Sequence, residues 1–385
     1  LYDFGSKAIG SNTQFAFTVT NIGGVPATSV SGAGLAIPFT FAGGAYPGVG
    51  GTCTSVINNG SACTVVVNFS PVAPGLQVDT MDINYTDGVS PQVVSRDMQG
   101  MASSSALLAI SDGPTYDFGA KATGSSTDYT FTVDNTGDVA ATAMSGTGLA
   151  APFTFKGGSY PGTGGTCAAF LNALSNCTIV VTYSPVSTGG HADTVQIDYF
   201  DGVVSKNSTR DLTGTGADPA LLNISGGPLV DFGNNAIGGT ATQLLTVTNA
   251  GGVPATGMAG SGLAAPFSFN GGTYPGSGGN CGATLAAGAN CQIQVAYTPT
   301  VTGLHADTVQ VDYNDGVSAQ NSQRDLQGTG VLAGFLTITD GPTYDYGTIA
   351  VGASADHTFT ISNTGGATAT AMNSSALTAP FSYKG

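Results

Sequence analysis

The chain has 385 residues, a formal net charge of −15 and a pI near 4.1, with eight Lys and Arg against 23 acidic residues, all of them Asp. So few cations exclude nucleic acid and an anionic membrane surface as partners, since both require clustered Lys and Arg. No apolar run approaches the roughly 18–20 residues of a membrane span, and a composition without Glu or Trp but with 59 Gly and 18 Pro favours strands and turns over long helices.

The opening tetrapeptide Tyr2-Asp3-Phe4-Gly5 returns as Tyr116-Asp117-Phe118-Gly119, as Val230-Asp231-Phe232-Gly233 and as Tyr344-Asp345-Tyr346-Gly347, each time after 114 residues. A fixed step without insertion or deletion means one structural unit copied in tandem. A unit of this length is domain-sized, far longer than most solenoid repeats, so beads on a string is the expected organisation. Residues 1–102 form a repeat that lacks its first strand. Residues 103–216 and 217–330 are complete repeats, and 331–385 are the first half of a fourth. Short junctions such as Gly214 to Pro219 favour a semi-rigid rod. Half a sandwich at 331–385 would expose its inner face, so the chain reads as a window on a longer polymer. Each incomplete end is then finished by continuation of the chain or by strand donation from a neighbour, continuation being the simpler expectation.

Within a repeat, the first clear alternation places Phe17 and Val19 on one face, matched by Phe131/Val133, Leu245/Val247 and Phe359/Ile361. Asn21, Asn135, Asn249 and Asn363 end these strands, each with Gly two residues on, which suits a tight turn with positive φ. The loop Tyr-Pro-Gly-x-Gly-Gly follows, beginning at Tyr46, Tyr160 and Tyr274. It lacks the spacing and the strand-to-helix context of a phosphate cradle. It is either a backbone-hugging loop pinned by the next Cys, or a contact surface between domains or chains with the tyrosine as anchor.

A strand opens at the second Cys of each repeat: Cys63, Val65, Val67 and Phe69 face one way, as do Cys291, Ile293, Val295 and Tyr297. Val309, Val311 and Tyr313 alternate likewise. Asp87-Gly88, Asp201-Gly202 and Asp315-Gly316 then mark hairpins. On the last strand Arg96, Arg210 and Arg324 precede Asp97, Asp211 and Asp325, and a cross-strand ion pair with Asp198 or its equivalents is expected. Seven or eight such strands per unit give an all-β protein of tandem Ig-like antiparallel β-sandwiches.

The six cysteines fall two per repeat, Cys53 and Cys63, Cys167 and Cys177, Cys281 and Cys291, always with nine residues between them. This pattern predicts one disulfide per repeat and an oxidising compartment. Zinc would need further ligands, and the candidates His191 and His305 are Gln77 in the first repeat. The same irregularity argues against a hydrolytic triad, because His357 aligns with Phe15, Tyr129 and Gln243, leaving no His common to the repeats. No catalytic residue and no cofactor is assigned. Calcium is the one ion the clusters Asp193/Asp198/Asp201 and Asp307/Asp312/Asp315 could suit, but Asn84 replaces the middle Asp in the first repeat and no calcium-loop spacing occurs.

The segment Cys281 to Cys291, the following Gln292 to Pro299 with Gly303, the opening Asp231-Phe232-Gly233 with Gly238, Thr246 to Asn249 and the closing Leu326 to Gly330 resemble the bacterial choice-of-anchor D repeat. That repeat is similar to the abnormal-spindle/Hydin group of major-sperm-protein-like Ig domains. The resemblance spans every repeat. It implies a secreted, often very long bacterial surface protein and no defined catalytic residues; the Tyr-Pro-Gly loop lies outside the common pattern. Three functions follow: a structural subunit of an extracellular rod, stalk or filament; an adhesin whose varying tips at Thr86, Phe200 and Asn314 capture glycan or protein; or a spacer for a further anchoring or enzymatic domain. The expected partners are neighbouring repeats or copies of the same chain.

Overall fold

A computed structural model describes residues 1–385. The chain divides into two compact units, Leu1–Gly119 with Ser126–Thr215, and Ala120–Ser125 with Gly216–Gly385.

The first unit holds two sandwiches. In the second repeat, one sheet runs in the spatial order Phe153–Phe155, Asn176–Tyr183, Thr127–Asn135, Leu108–Ile110. The facing sheet runs Thr115–Ala122, Ser205–Ala217, Gly189–Phe200, Ala141–Thr147, Phe170–Leu171. Alternation decides which side chains meet between them: Phe131, Val133, Ile179, Val181 and Tyr183 from one sheet pack against Val195, Ile197 and Leu212 from the other, all without solvent contact. The first repeat repeats this plan, with one difference. Its smaller sheet has three strands, Thr13–Thr20, Ala62–Phe69 and Phe39–Phe41, and no strand lies on the far side of Thr13–Thr20. The two sandwiches meet at a hairpin tip, where a Cβ on Gly202 would lie 3.0 Å from the Cβ of Ala8.

The second unit contains the third sandwich. Its four-stranded sheet is Leu222–Ile224, Ala241–Asn249, Asn290–Tyr297 and Phe267–Phe269. The facing five-stranded sheet is Leu229–Ala236, Ala319–Val331, Gly303–Asn314, Ala255–Ser261 and Thr284–Leu285. Beyond Val331 the regular structure is a two-stranded pairing of Leu336–Ile338 with Ile361–Asn363, and Phe359 and Ile361 are exposed.

The sheets are not wholly antiparallel. Tyr2–Ala8 pairs parallel with Pro91–Ser103, and Leu229–Ala236 pairs parallel with Ala319–Val331. Each of these opening strands has a bulge, between Asp3 and Ser6 and between Asp231 and Asn234. The recurring Asp-Phe-Gly builds it. The Asp carboxylate accepts the amide of the Gly two residues on, at 2.7 Å in Asp3 and 2.8 Å in Asp231. That Gly takes φ of +71° and +67°, and the Phe between them enters the core.

Candidate functional site

The Tyr-Pro-Gly loops cover a sheet edge. Loop 156–167 runs alongside Asn176–Tyr183 with backbone bonds from Lys156 N to Val180 O (2.9 Å), from Val180 N to Pro161 O (2.8 Å) and from Thr166 N to Thr178 O (2.9 Å). The approach is close enough that a Cβ on Gly162, whose φ is +87°, would lie 2.2 Å from Val180 O. The disulfides staple the loop to the same strand: Cys53–Cys63, Cys167–Cys177 and Cys281–Cys291 are bonded, with Cα atoms 4.8, 4.8 and 4.9 Å apart. The chain-entropy relation assigns each such loop about 2.5–3 kcal/mol.

The tyrosines of these loops are half-buried. Tyr46, Tyr160 and Tyr274 turn inward and meet Phe41, Phe155 and Phe269 edge-on, at centroid distances of 5.8, 5.7 and 5.6 Å. Each ring lies over a glycine, so that a Cβ on Gly146 would stand 2.5 Å from both Phe155 and Tyr160. Burial disfavours the phenolate and pushes Tyr160 and Tyr274 up to about 12. A loop held this close to its strand lays one side of the ring on the core and leaves the rest at the surface.

His191 and His305 each serve a buried phenol, whereas His357 lies 2.7 Å from the exposed Asp340 carboxylate. Tyr183 has no solvent contact, and its hydroxyl lies 2.8 Å from His191 Nδ1, with Ser187 Oγ 3.2 Å from Nε2. Tyr297 and His305 repeat the first contact at 2.8 Å. In the first repeat the same two positions are Phe69 and Gln77.

The arginines do not pair with Asp198. Arg210 donates from Nε to Ser111 O (2.8 Å), from Nη1 to Pro114 O (2.9 Å) and from Nη2 to Ile110 O. Arg324 donates to Ile224 O. A planar guanidinium satisfies several convergent carbonyls at once, and the turn after Leu108–Ile110 supplies them. Asp198 instead accepts from Thr147 Oγ1 (3.0 Å) and Gln196 Nε2 (2.7 Å).

The other acidic residues are also occupied locally. Asp193 accepts the amides of Ala150 and Thr194, and Asp201 those of Val203 and Val204, so the three carboxylates do not converge as a calcium site would require. Asn135 and Asn249 are buried hubs. The Asn135 amide donates to Val139 O, Leu171 O and Asn172 O and accepts from Leu107 and Gly137. The glycine two residues on does not have positive φ; it is required because a Cβ on Gly137 would lie 2.1 Å from Ser105 O.

One concave surface is lined by apolar groups. Beside the open edge of Thr13–Thr20, residues Val19, Asn21, Val30, Ile57, Ile83 and Tyr85 enclose about 520 Å³. In the second repeat this place is taken by Leu108–Ile110, with Ile110 opposite Val133 and Leu108 opposite Asn135.

The model of the HYDIN/CFA65/VesB-like, Ig-like domain family matches residues 227–329, which lie within the third repeat. A comparison with curated proteins found no match. Among solved structures, the chain is similar to an I-band fragment of titin at 9% identity, covering 86% of this chain and 96% of that one with a TM-score of 0.29. It is similar to mouse clustered PcdhgC3 EC1-3 at 9% identity, covering 72% and 85% with a TM-score of 0.31. It is similar to the Vibrio cholerae VesB protease at 17% identity, covering 29% and 32% with a TM-score of 0.24. At these scores the global likenesses carry no weight; the sandwiches themselves and the matched domain do. The chain is a tandem-repeat protein of Ig-like β-sandwiches, and residues 227–329 match the model of the HYDIN/CFA65/VesB-like, Ig-like domain.

Proposed function

We propose that the chain is a structural element: a length of tandem sandwiches in an extracellular rod, stalk or filament of a bacterial surface, with no catalytic step of its own. One observation carries this reading. Three sets of polar residues that recur at the 114-residue step are spent inside their own sandwich. The first Asp of each repeat holds its bulge, the strand-end Asn its hub, and the hairpin Asp its own turn amides. A ligand site copied with each repeat would leave a recurring polar group pointing outward and unused. Two of the three histidines, His191 and His305, face the hydroxyls of Tyr183 and Tyr297, which fits a structural use of these side chains.

Disulfides persist in oxidising compartments and support the extracellular placement. The resemblance to choice-of-anchor D repeats supports a bacterial surface. Negative-stain imaging of the native material tests the proposal. Thin stalks or filaments with an axial step of roughly 35–45 Å per sandwich, a few strand lengths plus loops, are expected. Specific glycan or protein capture mapping to the hairpin tips, in a particle without such stalks, would replace it with an adhesin.

A further inference from the structure

The second repeat carries two tyrosines that face each other between its sheets. Tyr116 stands on Thr115–Ala122, the edge strand of the five-stranded sheet, and Tyr129 on Thr127–Asn135 of the facing sheet. Their rings are stacked, with centroids 3.8 Å apart and planes 25° from parallel. Two buried phenylalanines hold them there. Phe118 meets Tyr116 edge-on at 5.0 Å, and Phe131 meets Tyr116 at 5.3 Å and Tyr129 at 4.9 Å. Both tyrosines are half-buried, so the pair lies where the core meets solvent. The chain's other contact between two phenols, Tyr344 with Tyr346, is edge-on with centroids 5.0 Å apart.

Packing alone does not call for the second phenol. At the equivalent positions the first repeat stacks Tyr2 on Phe15 at 4.0 Å, and the third has Val230 and Gln243. What a second phenol adds is reactivity, because a phenol yields one electron to oxidants that leave a phenyl ring untouched. The chain has no Trp and no free Cys, so tyrosine is its most readily one-electron-oxidised side chain. Methionine reacts instead by taking up an oxygen atom. A base also stands beside the pair. Burial, and then the charge of the adjacent Asp112, holds the Tyr129 phenol above its ordinary value. Burial first, with Tyr129, Asp112 and Asp117 adding to it, raises Tyr116 as well. Each phenol therefore keeps its proton at neutral pH and must release it as the electron leaves, with the Asp112 carboxylate at hand to take it.

We propose that Tyr116 and Tyr129 form a site of oxidative cross-linking, at which a one-electron oxidant driven by hydrogen peroxide joins the two rings through a carbon–carbon bond. Each hydroxyl gives up one proton and one electron. The two radicals couple through the carbons ortho to their oxygens, and the hydrogen on each of those carbons then moves to its oxygen, which restores both phenols. Hydrogen peroxide takes up the two electrons and two protons and leaves as two water molecules. The product ties the five-stranded sheet to the four-stranded one. The disulfide of the same repeat, Cys167–Cys177, staples a loop to the four-stranded sheet alone. A link between the sheets removes freedom from the unfolded chain, as a disulfide does. This goes beyond the structural role proposed above, and a sandwich that does not cross-link would leave that role standing.

The test treats the whole 385-residue protein with a haem peroxidase and limiting hydrogen peroxide, at a dilution where copies seldom meet. The expected product is a monomer lighter by two hydrogen atoms, with the blue fluorescence of a biphenol. Trypsin cleaves after Lys121, between the two tyrosines, and gives the peptides 97–121 and 122–156, in which Tyr116 and Tyr129 are the sole tyrosines. These peptides should leave the digest joined, and reductant should not part them, since neither contains Cys. The treated protein should also melt at a higher temperature. Tyr129→Phe copies the Tyr2–Phe15 stack and should keep the fold while losing both the joined peptides and the gain in melting temperature; Tyr116→Phe should do the same. Absence of the joined peptides from the treated monomer overturns the proposal, as does biphenol that forms only between copies.

Discussion

A buried phenol hydroxyl gains from a partner, and at one pair of positions the phenol and its partner come and go together: Tyr183 with His191, Tyr297 with His305, and Phe69 with Gln77. His191→Ala should leave the Tyr183 hydroxyl unpaired and cost about 1–3 kcal/mol. Tyr183→Phe with His191→Gln, which copies the first repeat, should recover most of that loss. Denaturant unfolding of the single and double variants reads the coupling, and strictly additive losses would refute it. The pairing was legible in the sequence, because one repeat changes both positions at once, but only to a reader asking what Tyr at 183 needs. Counting histidines as catalytic candidates concealed it. The aspartates lead to a second prediction. Asp87 is held below its usual range by the amides of Ser90 and Val89, and Asp231 by the amide of Gly233 and by Gln327. Burial opposes the shift of Asp315, yet its turn amides prevail and its value is also lowered. A carboxylate whose folded value is depressed stabilises fully above its unfolded value, near 4, and loses that contribution as pH falls through the folded value. The melting temperature should therefore drop below about pH 4, and Asp87→Asn with Asp315→Asn should flatten the drop; an unchanged acid limb would count against the assignment.

Strand positions follow from period-two alternation, and the structure places strands where Phe17/Val19, Cys63 to Phe69 and Thr308 to Tyr313 alternate. Alternation reports which face a side chain takes, not which strand lies beside it. The parallel pairing of Tyr2–Ala8 with Pro91–Ser103 was therefore not legible from pattern alone. The Asp-Phe-Gly signal was visible, but its meaning, a bulge that turns a parallel edge strand, required the pairing. The Tyr-Pro-Gly loop is a similar case: its glycines were apparent, and the edge they let it cover was not. Unpaired strand edges invite association, and this loop closes one in every sandwich with backbone bonds and a disulfide. Gly162→Ala should be among the most damaging single methyl additions in the protein. It places a Cβ 2.2 Å from Val180 O at φ +87°, so both the collision and the left-handed backbone oppose it. Gly158→Ala, at φ +90° with nothing within 4 Å, isolates the backbone cost, about 1–2 kcal/mol. Thermal unfolding should rank Gly162→Ala clearly below Gly158→Ala; equal losses would mean that the close approach contributes nothing.

At the scale of the whole chain, the fixed 114-residue step sets how the protein should respond to force. In the first sandwich Tyr2–Ala8, and in the third Leu229–Ala236, the strand after Leu222–Ile224, lies parallel to the closing one. Pulling the ends of such a repeat apart loads the rungs of that ladder together in shear, whereas an antiparallel terminal pair would unzip rung by rung. Each sandwich also contains a covalent short-circuit of ten residues, Cys53–Cys63, Cys167–Cys177 or Cys281–Cys291. While the disulfide holds, those ten residues cannot contribute to the extended length. Single-molecule stretching of the chain should give discrete unfolding steps of nearly equal length from the three bridged sandwiches. Reductant should lengthen each of them by about 30 Å, ten residues at roughly 3.6 Å less the distance already spanned by the bridge. Residues 331–385, which lack a bridged cysteine pair, should add no step that reductant changes. Steps of unequal length, or steps indifferent to reductant, would deny that the repeats bear load as separate disulfide-stapled bodies. Rupture of the whole chain in one event would deny it too, because cooperativity would then extend across the junctions and the 114-residue step would not be the mechanical unit.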